Sequence, residues 1–547
     1  MLLSMHSKKL FVLVVSVLFS AIASFGSVPK DYTFFHNKPD GIAKDFYISR
    51  YLDSPKCSKE DAWALLEQIS RMTYPLFHAF AAKMEDAGWN KVSQCLKLEI
   101  TKLLATDDQD CIAIGLSVFE ASKLEKKKLK ELASKLDGYK EAVALRTLAQ
   151  DDIFATMLQH GGDAFFEVFN KIGAAYRLEH FNKPIDAKII ENLTQDKRFN
   201  DSIKLIITDA KLKNIQKSLL HVSPSTNGTL THQSLFFLGL NALKFDKLQL
   251  AMAFFDASYE LAYYRIDKDK TSFWRYLISK DTKYIKQLQE SFDINIYTLL
   301  AKVEPKNIII PKAYAKHPNF DEKDPFEWTN FLNEIANKTP QEYEKLAQSY
   351  LYKNTIGHYS FLMERARSYK EHYFPVAYAE FLPDTSIEKK ALILALARQE
   401  SRFIPSAISS SYALGTMQFM PFLAKAIAKE QKFVDFELDA MFNPQTAYLF
   451  ADIHLLYLQK YLHHPLLVAY AYNGGIGFTK RVLRSGLFSK NIYEPYMSIE
   501  LIAYDESREY GKKVLANYVI YSKILGSEIS AQTLIEKLLE IEKNHKF

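Results

Sequence analysis

Apolar residues recur along most of this chain at spacings of three and four, the pattern of helices that bury one face, while alternating runs bounded by turns are few. From residue 24 to about 225 the pattern predicts a run of helices with sparse proline, broken near Pro224-Ser225-Thr226-Asn227-Gly228. In the next stretch Leu235, Leu238, Gly239, Ala242, Ala251 and Phe255 fall at spacings similar to a tetratricopeptide unit, and a second unit starts near Phe273-Trp274. Such positions read as the packed core of stacked helix pairs, because each pair must bury a face on its neighbour. Residues 293–301 close this part, and four prolines between Pro305 and Pro325 mark a boundary. Further on, residues 391–397 (Ala-Leu-Ile-Leu-Ala-Leu-Ala) are apolar on every face, which predicts a short helix buried all round. Pro405 forbids much continuation of it.

Composition supports a mainly α-helical fold. Only 18 of 547 residues are glycine, roughly half the usual share, and Leu, Ala, Lys and Glu abound. That length suggests three or four domains: 24–225 as an N-terminal helical domain, 226–304 as a helical-repeat segment, 305–381 as a helical linker domain and 382–547 as a last domain. Residues 1–23 read as a signal peptide. Lys8 and Lys9 precede a thirteen-residue apolar run, Leu10 to Ile22, too short to span a bilayer comfortably, and Ala21-Ile22-Ala23 offers a small-x-small cleavage site. The formal charge of +6 falls to +4 without that segment, a mild balance that suits a substrate bearing peptide carboxylates and does not point to nucleic acid. The three cysteines, Cys57, Cys95 and Cys111, all lie in the first quarter of the chain. An oxidising compartment permits one disulfide, with Cys95 and Cys111 the pair nearest in sequence; buried free thiols are the other reading.

Glu400 is the candidate for chemistry. A carboxylate at a helix C-terminus faces the negative end of the helix dipole, and apolar surroundings penalise its charge further. Both effects favour the protonated acid that glycosidic cleavage requires. Around it stand Ala397-Arg398-Gln399-Glu400-Ser401-Arg402-Phe403, then Gly415-Thr416-Met417-Gln418-Phe419-Met420-Pro421, then Ala471-Tyr472-Asn473-Gly474-Gly475, and last Ile502-Ala503-Tyr504-Asp505-Glu506-Ser507-Arg508-Glu509-Tyr510. Each also has a structural reading. Pro421 suits the first position of a helix, Asn473-Gly474 suits a helix end, and Asp505 suits a cap.

In this order and spacing the four stretches resemble the catalytic domain of the soluble lytic transglycosylases, lysozyme-like enzymes that cut peptidoglycan. The resemblance is specific over roughly 382–525 and only architectural over the N-terminal 220 residues. Tyr412 stands where the family usually has Gly, Leu414 where a small residue is common, and Gly474 in place of Ala. The resemblance implies a ring-shaped N-terminal α-superhelix of stacked helix pairs, a small helical linker domain and a lysozyme-like α-domain. It implies Glu400 as the single acid and base, with Ser401, Met417, Gln418, Tyr472, Asn473 and Glu506 binding substrate. Glu506 has a second reading, as a cap or an ion-pair partner of Arg508. The implied substrate is the glycan strand of peptidoglycan and the implied location the periplasm, with no integral membrane span and no nucleic-acid partner. A goose-type-lysozyme-like hydrolase and a non-catalytic peptidoglycan-binding scaffold are the alternatives. No metal or organic cofactor is expected: Gly474-Gly475-Ile476-Gly477-Phe478-Thr479-Lys480 lacks phosphate-loop order. The histidines, His454 and His463-His464 among them, lack metal-ligand spacing. Asp107-Asp108-Gln109-Asp110 lacks the glycine and distal glutamate of a calcium loop.

Overall fold

The structure, a computed structural model, describes Pro29 and residues 31–225, 228–489 and 491–541. The expected signal peptide therefore lies outside the described residues. The fold is mainly α. Among the described residues the only named strands are Ile308–Ile309 and His372–Tyr373, two residues each, paired in parallel. No described helix is long and apolar enough to cross a membrane. The chain divides into two compact units that alternate along the sequence. The first comprises residues up to Asp86, Pro305–Ile476 and Tyr510–Ala531; the second comprises Ala87–Glu304, Gly477–Glu509 and the residues from Gln532 on.

In the first unit the central element is the helix Ile387–Ser401. Ser386 caps it by accepting from the Lys389 N–H at 3.3 Å, and every residue from Ala391 to Ala397 is buried. Burial of each leucine or isoleucine there contributes about 1.5–3 kcal/mol, which more than offsets the loss of any polar face. The helix stops where Arg402 turns left-handed, with φ 54°. Proline opens several neighbours: Pro325–Glu334, Pro340–Ala347, Pro421–Glu430, Pro444–Gln459 and Pro465–Gly474 each carry it in the first turn, where a missing N–H is harmless. Residues far apart in sequence close this unit. Asp439, almost fully buried, accepts a hydrogen bond from Tyr47 Oη at 2.6 Å and pairs with Arg50. Phe331, Ile335, Tyr350, Leu362, Met363 and Tyr373 form a separate small core.

In the second unit the helices His232–Lys244, Leu248–Leu261, Arg265–Ser279 and Thr282–Gln289 pack each on the next. All six positions of the repeat-like pattern are buried there. Gly239 is required by close approach, since a Cβ would lie 2.6 Å from the Phe255 ring. Cys95 and Cys111 form a disulfide joining the helices Ala87–Lys97 and Gln109–Gly115, which settles the pairing left open by the sequence. Cys57, in the first unit, is a buried free thiol that burial pushes up from its ordinary pKa.

Candidate active site

Glu400 sits in the last turn of the helix Ile387–Ser401, where the buried apolar run hands over to polar residues. Its carboxylate Oε1 accepts a hydrogen bond of 2.5 Å from the Tyr510 hydroxyl. Tyr510 is buried in the helix Asp505–Ile524. Burial, and after it the negative charge of Glu400, holds the Tyr510 hydroxyl well above the ordinary tyrosine pKa. The same two causes in the same order act on Tyr472. Both tyrosines are therefore O–H donors at any working pH.

The loop after the acid helix is fastened to it by side chains. Ser401 Oγ donates to the Thr416 carbonyl at 2.8 Å and accepts from the Ile404 N–H at 3.2 Å. Tyr472 Oη donates to the Met417 carbonyl at 2.9 Å, so the helix Pro465–Gly474 holds the loop from the other side. Met417 itself is fully buried. Gln418 adopts φ 49° and turns its amide nitrogen into the loop, donating to the Ala407 carbonyl at 3.1 Å and the Gly415 carbonyl at 2.8 Å. Gly415 has φ 72°, and a Cβ there would meet the Met441 carbonyl oxygen at 2.0 Å, so only glycine fits. Asn473 is half-buried in the last turn of its helix, which ends at Gly475 with φ 82°.

Behind the acid lies a buried charge cluster. Arg398 donates to the Tyr373 carbonyl at 3.1 Å, to Asn517 Oδ1 at 2.9 Å and to Glu364 Oε1 at 2.8 Å. Arg402 also pairs with Glu364, whose side chain is 2% exposed. The two arginines flank Glu400 in sequence, so their shared anchor fixes the last helical turn that carries it. His454, in the helix Pro444–Gln459, makes edge-on ring contacts with Tyr472 and Phe419, and burial lowers its pKa to about 4.

The structure thus ties Ser401, Gln418 and Tyr472 to one loop, which includes Met417, through backbone carbonyls, and Glu400 directly precedes Ser401. Glu506 belongs to the second unit, where it is exposed and accepts from Tyr504 Oη at 2.9 Å. Arg508 pairs with Asp505 and Glu509, and Lys204 also pairs with Asp505. Sequence reasoning gave Tyr510 no role, although it ends the fourth stretch. The available signal was an aromatic hydroxyl in a helix otherwise read as core. Arg398 and Glu364 were missed as well, and no local pattern joins them.

The candidate site is thus one carboxylate at a helix end that accepts from a tyrosine hydroxyl, followed by a loop that depends on Gly415. Residues 384–492, Glu400 among them, match the family model described as the transglycosylase SLT domain. A putative soluble lytic murein transglycosylase of Haemophilus influenzae is 31% identical over 183 residues, 32% of this chain and 30% of that protein. The soluble lytic murein transglycosylase of Escherichia coli K12 is 25% identical over 226 residues, 40% of this chain and 34% of that protein. The matches thus span about a third of the length of these curated relatives. Among solved structures, an inactive mutant of lytic transglycosylase Slt from Pseudomonas aeruginosa aligns with TM-score 0.49 at 15% identity, covering 91% of this chain and 89% of that one. The 70 kDa soluble lytic transglycosylase of Escherichia coli aligns with TM-score 0.46 at 16% identity, covering 93% and 92%.

Proposed function

We propose that this protein is a periplasmic lytic transglycosylase that cleaves the β-1,4 bond between N-acetylmuramic acid and N-acetylglucosamine in peptidoglycan. The observation that carries the reading is the 2.5 Å contact of Tyr510 with Glu400, the acid lying within the SLT-matched residues 384–492. It marks Glu400 as a carboxyl held in one orientation, as a group that both gives and takes a proton must be. Glu400 protonates the bridging oxygen, and the C1–O bond breaks. The same carboxylate then removes the proton of the muramyl C6 hydroxyl, whose oxygen closes on C1. A 1,6-anhydro end results, and Glu400 regains its proton. No second carboxylate is needed, because the internal hydroxyl replaces the water that two-acid glycosidases must activate. Tyr510 and Tyr472 stay neutral and orient the acid and the loop; Gln418 and Asn473 line the sugar side. The helices of residues 24–304 serve glycan capture and those of 305–381 form a linker domain.

The test is digestion of purified sacculi by the full chain and by Glu400→Gln, with mass spectrometry of the released muropeptides. Anhydro ends from the parent, absent with the variant, are expected. Reducing ends in place of anhydro ends would make the protein a hydrolase, and equal release by the variant would remove Glu400 from the chemistry.

A further inference from the structure

The first unit contains a cavity of about 570 Å³ that none of the residues holding Glu400 lines. Pockets for small ligands commonly measure ~300–1,000 Å³. Its wall at residues 375–378 is fixed by two tyrosine hydroxyls from other helices and by the hydroxyl of Tyr378, itself in the wall. Tyr521 donates to the Pro375 carbonyl at 3.0 Å, Tyr448 to the Ala377 carbonyl at 3.0 Å, and Tyr378 to the Asn354 carbonyl at 3.0 Å. On the opposite side Asn354, buried, accepts from the His317 N–H at 2.7 Å and donates to Glu322 at 3.0 Å. The cavity is therefore preformed, and binding in it would cost little ordering.

Its chemistry is uneven. Apolar surface comes from Pro311, Ile356, Pro375, Val376 and Pro444, while Lys312, Lys316, Lys323 and Lys353 stand around it. Among the described residues none of these four lysines forms an ion pair within 4 Å. Only two acids, Glu322 and Glu380, share the lining, and Glu322 is already engaged by Asn354. Neutral sugar would leave four ammonium groups without a counter-charge. A short peptide with small apolar side chains and more carboxylates than amines matches both the apolar wall and the positive rim.

We propose that this cavity binds the stem peptide of peptidoglycan, as a recognition site apart from the acid; the choice of peptide rests on the proposed substrate. The experiment titrates free murein tetrapeptide, with no sugar attached, into the full chain by isothermal calorimetry. Saturable binding that weakens as salt is raised is expected. Lys312→Glu with Lys353→Glu, both exposed positions, should weaken it by roughly tenfold or more, and Lys312→Arg with Lys353→Arg should retain it. Circular dichroism of each variant checks the fold, and the salt series on the unmodified chain stands independently of any variant. Absence of saturable binding, unchanged affinity in the charge-reversed variant, or displacement of the peptide by inorganic phosphate at equal concentration would each overturn the proposal. The probe has no glycosidic bond, so this result and the muropeptide assay fail separately.

Discussion

A tyrosine hydroxyl donating to a carboxylate at 2.5 Å is a charge-assisted hydrogen bond whenever Glu400 is ionised. Tyr510→Phe removes the donor and keeps the ring, so stability is expected to fall by about 1–3 kcal/mol. Turnover is expected to fall further than sacculus binding, because orientation of the acid matters most at the transition state. Thermal melting and muropeptide release on one preparation check this; unaltered release would make Tyr510 a packing residue. Tyr472→Phe acts differently. Its hydroxyl carries the Met417 carbonyl, so the loss frees the loop, and the expected stability change is about 1 kcal/mol with a drop in turnover. Of these two tyrosines the sequence exposed Tyr472, which stands in a short motif beside Asn473 and Gly474. Tyr510 lies 110 positions after Glu400 on a helix where aromatic residues are ordinary core, so no local feature distinguishes it.

At the scale of the element, the helices were the most readable part. The run 391–397 could be buried on every side only as a central helix, and Pro421 announced a helix start that the structure has at that residue. The strand pair was not readable: two residues meeting two others more than sixty positions away leave no periodic signal. Nor was the character of His358, in the helix Ile356–Ala366. Its ring is fully buried, stacks on Tyr350 at 5.6 Å and meets Phe331 edge-on, and neither nitrogen has a hydrogen-bond partner. Burial lowers its pKa from 6.5 to about 3. Between those values the unfolded chain binds a proton that the folded chain refuses, so this contribution is complete above pH 6.5 and is lost as pH falls toward 3. His358→Phe should flatten that slope and, by replacing an unpartnered polar ring with an apolar one, leave stability at pH 7.5 equal or higher by about 1–2 kcal/mol. Melting temperatures of both proteins at pH 7.5 and pH 5 provide the check. An equally steep decline in the variant would place the pH sensitivity in other groups.

Across the first unit as a whole, the loop that follows the Glu400 helix is supported by a residue near the start of the described chain. Arg50, on the helix Ile42–Leu52, pairs with Asp439, 389 positions later, and Tyr47 donates to the same carboxylate. Asp439 lies in the short helical turn Leu438–Phe442. Two residues on, the Met441 carbonyl presses on Gly415, whose own carbonyl receives the Gln418 amide. No sequence pattern announces this chain of contacts, because charge pairs across hundreds of residues leave no periodicity; only the fold brings them together. Arg50→Met keeps much of the apolar stem but strands a buried carboxylate, which costs about 3–5 kcal/mol. Burial already raises the Asp439 pKa, so the stranded group relieves itself by taking a proton or by moving the turn that bears it. Movement of that turn displaces Gly415, and turnover should fall with it. The double variant Arg50→Met with Asp439→Asn has no stranded charge and should recover a large part of both stability and turnover, giving a coupling energy of roughly 0.5–3 kcal/mol in a double-mutant cycle. Melting temperature and muropeptide release across the four proteins test it. Strict additivity, with the double variant as impaired as the two losses combined, would mean that the pair and the loop are independent.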